Sequence, residues 1–168
     1  TRYGSVGLPL PGVEVKIAED GEIIVKGNNV FLGYYKDEET TRETLIDGWL
    51  HSGDLGKFDK DGFLWVTGRK KDIIVTSGGK NITPANIEGA LKNLELVSQA
   101  VVVGDNRKFI SALITLDETA VGAFASSKGL SGENLHENNM VKNKIQKGVD
   151  AVNSKFMRVA NVRKFTIL

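Results

Sequence analysis

The sequence predicts an α+β fold in two parts: a small β unit over residues 1–70 and an α+β unit over residues 71–168. Three observations lead there. The first seventy residues show period-two alternation between turn signals. From Thr83 onward, apolar residues recur at helical spacing and alternate with short apolar runs. The pattern changes at Lys70-Lys71, directly after Gly68-Arg69.

Val13, Val15 and Ile17 alternate with Glu14 and Lys16, which reads as a half-buried strand. Glu22 to Lys26 reads as its partner across Glu19-Asp20-Gly21, a hairpin signal. Asp37 to Leu45 reads as a short helix with Asp37 as N-cap and Glu38 and Glu39 on the favourable end of the dipole. Leu55 to Phe58 and Phe63 to Thr67 flank Asp59-Lys60-Asp61-Gly62, a second hairpin. In the later part, Ile73 to Thr76 reads as a short strand. Thr83 caps a helix with Pro84 at its first position and an apolar face of Ile87, Ala90, Leu91 and Leu94. Ala100 to Val103 and Phe109 to Leu116 read as strands joined by Gly104-Asp105-Asn106-Arg107. Asp117 caps a helix that ends near Lys128-Gly129. Val141, Ile145, Val149, Val152 and Phe156 form the stripe of a longer helix, and Phe165 to Leu168 reads as a last strand.

The 168 residues hold 22 Lys+Arg against 21 Asp+Glu, a formal net charge of +1. That balance does not favour nucleic acid or an anionic surface as a partner of the whole chain. No cysteine is present, which excludes a disulfide framework, a thiolate nucleophile and a cysteine zinc site. The composition fits a cytoplasmic location. No apolar run approaches the ~20 residues of a membrane span.

Several local patterns are weak. His51, Ser52 and Asp54 are adjacent, whereas catalytic triads are assembled from residues distant in sequence, so His51 reads as a packed or hydrogen-bonded residue. Asp59 and Asp61 before Gly62 resemble a calcium loop, but Lys57 and Gly68 hold its terminal ligand positions. A solvated hairpin turn is the better reading. Gly78-Gly79-Lys80 resembles the end of a phosphate loop without the earlier glycine. Arg69-Lys70-Lys71 is a short basic run, weak evidence for nucleic acid. No residues have metal-ligand spacing.

The strong pattern runs from Gly48 to Pro84. Gly-Trp-Leu-His-Ser-Gly-Asp-Leu-Gly places a lone carboxylate, Asp54, at the start of a strand. Gly-Arg-Lys-Lys-Asp-Ile-Ile-Val-Thr-Ser-Gly-Gly-Lys-Asn-Ile-Thr-Pro places a lone guanidinium, Arg69, at the end of a nearby one. A carboxylate accepts two hydrogen bonds from a cis-diol, and a guanidinium binds sugar oxygens and phosphate in a fixed fork. Together they suit a ribose and phosphate. With Gly21-Glu22-Ile23-Ile24-Val25-Lys26-Gly27 and Val30-Phe31-Leu32-Gly33-Tyr34-Tyr35, this order resembles the adenylate-forming superfamily of acyl-CoA synthetases, luciferases and peptide-synthetase adenylation domains. Gly78-Gly79-Lys80-Asn81-Ile82 and Pro84-Ala85-Asn86-Ile87-Glu88 resemble its long-chain fatty-acid–CoA ligase branch.

The resemblance implies a protein that makes an acyl-adenylate from a fatty acid and ATP with Mg2+, then transfers the acyl group to coenzyme A. Residues 1–70 would close a large N-terminal domain, and residues 71–168 would form a lid that rotates between the two half-reactions. Asp54 matches the ribose-binding carboxylate, Arg69 the arginine on ribose and phosphate, and Lys71 the hinge. Gly78 and Gly79 match the loop that approaches pantetheine, and Lys80 lies near it. The phosphate loop, the adenine and magnesium motif and the catalytic lid lysine have no match. The resemblance thus implies a C-terminal piece cut at both ends, inactive alone and prone to self-association. Peripheral membrane association of the parent stays open, as do two other readings: an acid-activating enzyme that does not use CoA, and a non-catalytic binding module.

Overall fold

The computed structural model describes residues 2–130 and 134–168. The chain divides into two compact units, Thr1–Asp72 and Ile73–Leu168.

The first unit is a five-stranded antiparallel sheet. β1 (Val13–Ile17) pairs with β2 (Glu22–Gly27) across the turn at Gly21. Helix α1 (Glu38–Thr44) begins at Asp37, whose side chain accepts the Thr40 N–H. The helix stops there because Leu45 turns extended and starts the short β3 (Leu45–Ile46). β4 (Trp49–Phe58) is the long central strand. Its other neighbours are β2 on one side, then β3 and β5 (Leu64–Arg69) in succession on the other. The core of this unit is thin, with Ile23, Leu55 and Leu64 as its buried apolar side chains. Tyr3, Leu8, Leu10, Leu32 and Tyr35 are exposed. An antiparallel sheet with so little on one face is marginal by itself.

β4 corrects one reading. Its ladder starts at Trp49, not Leu55, so Asp54 lies inside a strand and not at its start. Gly53 sits at φ 73°, in the left-handed region, where glycine meets no Cβ penalty. The pairing with β2 shifts register between Glu22 and Ile24, opposite this point. In sequence Ser52-Gly53 looks like a strand boundary. In the fold it is an irregularity inside one strand. The Asp59–Gly62 turn is also more than a solvated one. The Asp59 carboxylate accepts the N–H groups of Asp61 and Phe63 and the Trp65 indole N–H, and pairs with Arg2.

The second unit packs helices on a three-stranded sheet. β8 (Val97–Val103) is antiparallel to the central β9 (Ile110–Leu116), and β10 (Val162–Ile167) is parallel to it. β10 starts at Val162, three residues before the apolar run that marks it in the sequence. A two-stranded hairpin, β6 (Ile74–Val75) and β7 (Asn81–Ile82), precedes α2 (Pro84–Lys92). Thr83 holds the N-cap position of α2 without a side-chain hydrogen bond, whereas the Asp117 carboxylate accepts the Ala120 N–H at the start of α3 (Glu118–Ser127). Ile87 and Leu91 from α2, and Val141, Ile145, Val149 and Val152 from α4 (Asn139–Asn153), meet Val97, Ala100, Val102, Ile110, Ala112 and Ile114 from the sheet. The stripes read from sequence thus supply the buried faces of α2 and α4, with Ala90 partly buried beside them, whereas Leu94 and Phe156 lie beyond the helix ends and pack half-buried against the same core. No helix among the described residues is long and apolar enough to cross a membrane.

Candidate functional site

β4 and β5 bring Asp54 and Arg69 directly opposite each other in the ladder. The Arg69 Nη1 donates to Asp54 Oδ1 at 2.7 Å. Both side chains are partly exposed, at 31% for Asp54 and 48% for Arg69. Asp54 Oδ2 accepts no hydrogen bond from the described residues. The Asp54 carboxylate holds the Arg69 guanidinium pKa above its ordinary value. Gly53, Arg69, Lys70 and Lys71 line a shallow concavity of about 260 Å³. The pair thus offers one unused carboxylate oxygen and a fixed guanidinium beside a cationic wall. That combination suits a hydroxylated, phosphorylated ligand.

Beneath the pair lies a group that sequence reading did not single out. Glu22 is only 3% exposed. Its Oε1 accepts the Gly53 N–H at 2.7 Å, and its Oε2 accepts from His51 Nδ1 and Lys70 Nζ, each at 3.0 Å. Burial pushes the Glu22 carboxyl pKa upward, but the bonds from His51, Lys70 and Gly53 outweigh it and hold the group below its ordinary value. An ionised carboxylate only accepts, so His51 carries its proton on Nδ1. Lys70 also pairs with Asp20 at 2.6 Å, and the two carboxylates raise its pKa. A glutamate heading an apolar run carries no local sign of burial. The signal is in the register, which sets Glu22 beside the irregular stretch at Gly53.

The remaining candidates lie elsewhere. Lys71 is exposed in the single helical turn Lys70–Asp72 that ends the first unit. Gly78, Gly79 and Lys80 form the exposed tip of the β6–β7 hairpin in the second unit. Gly79 has φ 70° and donates its N–H to Thr76 at 2.8 Å. A side chain there would strain the tip. The hairpin is braced by the turn after β8: Asn106 N–H donates to Val75 O at 2.8 Å, and Ser77 N–H to Arg107 O at 3.0 Å. Nearby, Ile74, Val103, Asp105, Arg107 and Phe109 help to line an open cavity of about 720 Å³. Among the described residues no group of three or more His, Cys, Asp or Glu is placed to hold a metal ion.

A family model described as the AMP-binding enzyme C-terminal domain matches residues 71–168. The chain is 45% identical over 171 residues to the long-chain-fatty-acid–CoA ligase FadD15 of Mycobacterium tuberculosis, covering 99% of this chain and 28% of that protein. It is 45% identical over 122 residues to the long-chain-fatty-acid–CoA ligase ACSBG1 of Rattus norvegicus, covering 68% of this chain and 17% of that one. Among solved structures, an o-succinylbenzoate CoA synthetase from Bacillus subtilis, in complex with its acyl-adenylate intermediate, is similar at a TM-score of 0.75 and 29% identity. That match covers 99% of this chain and 32% of that one. The chain therefore spans a third or less of the length of these relatives. It belongs to the family of AMP-binding enzyme C-terminal domains.

Proposed function

We propose that this chain is the lid and adjoining β unit of an ATP-dependent long-chain fatty-acid–CoA ligase. In that reaction a fatty-acid carboxylate oxygen attacks the α-phosphorus of ATP, pyrophosphate leaves, and an acyl-adenylate forms. The sulfur of coenzyme A then attacks the acyl carbon, the thioester forms, and AMP leaves. The chain's own share is binding and positioning. Asp54 accepts from the ribose hydroxyls, and Arg69 donates to ribose and phosphate oxygens. Lys71 is the hinge between units with boundaries at residues 1–70 and 71–168. The Gly78-Gly79 tip, lacking side chains, lets pantetheine approach closely, with Lys80 beside it.

The observation that carries this reading is the pairing of Asp54 with Arg69 in register, with one carboxylate oxygen unused. A purely structural ion pair at this exposure contributes little stability, and a ligand-binding pair needs such a spare acceptor. The described residues do not fit a magnesium site, and the ion would belong with ATP phosphates held elsewhere in the parent. The cysteine-free sequence and the use of ATP and CoA support a cytoplasmic location.

The test is made on the full-length protein that contains this chain. With ATP and a long-chain fatty acid it is expected to release pyrophosphate, and with CoA to form the acyl-CoA. The 168-residue chain alone is expected to do neither. Failure to release pyrophosphate with any long-chain acid would overturn the reading. Pyrophosphate release without acyl transfer to CoA would favour an acid-activating enzyme that does not use CoA.

A further inference from the structure

We propose that Asp105 is a positioning residue for acyl transfer to coenzyme A, acting through the Gly78-Gly79 tip. This role rests on the proposed approach of pantetheine to that tip. β6 and β7 are two residues each and form a sheet of their own. A hairpin of two such strands is marginal by itself. Its base is fixed, because Ile74 and Ile82 are buried in the core of the second unit. Its tip, residues 77–81, is exposed throughout. Thr76 N–H donates to Lys80 O at 3.0 Å, and Lys80 N–H to the Thr76 hydroxyl at 3.2 Å. These bonds shape the tip but do not set where it points.

The contacts along the outer edge of β6 set that direction. Asp105 Oδ1 accepts the Val75 N–H at 3.0 Å. Asn106 donates its N–H to Val75 O at 2.8 Å, and Arg107 O accepts the Ser77 N–H at 3.0 Å. Three successive residues of the turn after β8 thus follow β6 towards the tip, as far as the residue before Gly78. The turn is itself held in place. Arg107 N–H donates to Gly104 O at 3.0 Å, and Asn106 takes φ 56°, which asparagine tolerates better than most residues. A Cβ on Gly104 would come within 2.7 Å of Ile110 Cγ2, and the Ile110 side chain is fully buried. Position therefore passes from the start of β9 through Gly104 and the turn to Val75 and the tip.

Asp105 supplies the one side chain among these three contacts, since the other two join backbone groups. Its second oxygen accepts from Asn106 Nδ2 at 2.8 Å, which orients the carboxylate. The bond to Val75 is exposed, so its loss leaves the buried core of the unit intact. The reaction is more sensitive than the fold. A sulfur must reach the acyl carbon, and a displacement of about 1 Å can cost such a step up to about a hundredfold. Adenylation uses no pantetheine and does not depend on the tip.

The test separates the two half-reactions in the full-length protein. In Asp105→Ala, first-turnover pyrophosphate release without CoA should match the parent. Thioester formation from the preformed acyl-adenylate should fall about tenfold or more, the worth of a hydrogen bond to a charged group, with a higher CoA concentration needed for half-maximal rate. Asp105→Asn keeps the Oδ1 acceptor and should restore most of the thioester rate. Asn106→Gly keeps the N–H and the left-handed φ and should behave as the parent. Hydrogen exchange on the 168-residue chain reads the brace without any reaction. The Val75 and Ser77 amides should exchange faster in Asp105→Ala, while the Ile114 amide keeps its rate. Asp105→Ser, too short to reach Val75, replaces the alanine variant if that one does not fold. Equal losses in both half-reactions, no loss in either, an asparagine variant as impaired as the alanine one, or a Val75 amide indifferent to the change would each overturn the role of Asp105. A parent that makes no acyl-CoA would overturn the ligase reading, and with it the role in acyl transfer, while exchange at Val75 still shows whether Asp105 holds the tip.

Discussion

Lys70 and Glu22, 48 residues apart in the chain, are joined by a hydrogen bond of 3.0 Å from Nζ to Oε2. The bond ties the end of β5 to the start of β2, one residue before the exposed Lys71. The same carboxylate holds Gly53 next to Asp54. Glu22→Gln puts an amide N–H2 where only acceptors fit, facing Lys70, His51 or Gly53. An unsatisfied buried donor costs about 1–3 kcal/mol. The first unit should lose stability on that scale. Both tryptophans, Trp49 and Trp65, belong to this unit, so denaturant titration followed by their fluorescence reads it selectively. An unchanged midpoint would remove Glu22 from the support of Asp54.

Asp54→Ala removes the proposed ribose acceptor. In the full-length protein the adenylation efficiency with ATP should fall about tenfold or more, because a hydrogen bond to a charged group is worth roughly 1.5–3 kcal/mol. Steady-state pyrophosphate release against ATP concentration measures it. A variant with unchanged ATP dependence would exclude Asp54 from the nucleotide site.

Lys71→Pro tests the hinge. Proline fixes φ and removes an N–H, and a hinge works through a large change in backbone angles. The variant should impair one half-reaction far more than the other when adenylation and thioester formation are measured separately. Equal losses, or none, would place the hinge elsewhere.

Asp59 gives a pH dependence. Its pKa is lowered to about 2, first by the Trp65 indole N–H, against the opposing effect of burial. The unfolded chain titrates it at about 3.9. The group therefore contributes stability above about pH 4, and that contribution fades as pH falls through about 2. Glu22, also depressed, acts in the same sense. Tryptophan fluorescence of the first unit should show acid loss of stability in this window. Asp59→Asn should be less stable at neutral pH and flatter across the acid range. A variant with the parent's acid profile would show that Asp59 does not couple to folding.

Exposed Tyr3, Leu8, Leu10, Leu32 and Tyr35 leave apolar surface on the first unit. The 168-residue chain should self-associate as its concentration rises, since apolar surface and open strand edges both promote it. Sedimentation velocity over a concentration series measures this. A strictly monomeric chain would show that these side chains are scattered too widely to form a patch.

The helical stripes of α2 and α4 were legible because their apolar spacing matches the helix period, and buried Ile87, Leu91, Val141 and Ile145 follow it. The hairpins of the first unit were legible from their glycine turns. The start of β4 was not, because Gly53 carries a turn signature while serving as an irregularity within the ladder. β10 was foreshortened because exposed Arg163 and Lys164 interrupt its alternation. Asp54 and Arg69 stood out as the lone carboxylate and lone guanidinium at fixed places in their motifs. Glu22 did not, since its burial follows from the pairing of β2 with the distant β4, which brings its carboxylate to the Gly53 N–H 31 residues on.

The parallel alignment of β10 on β9 has a consequence for how the chain reaches its fold. Every strand contact of the first unit is antiparallel, and most join segments close in sequence. The second unit cannot close its sheet until residues 162–167 return to Ile110–Ile114, past α3 and α4. Such distant pairing slows folding, because the loop must be ordered before any contact rewards it. During synthesis the hairpins of the first unit can therefore form early, while the β9 edge stays unpaired until the last strand arrives.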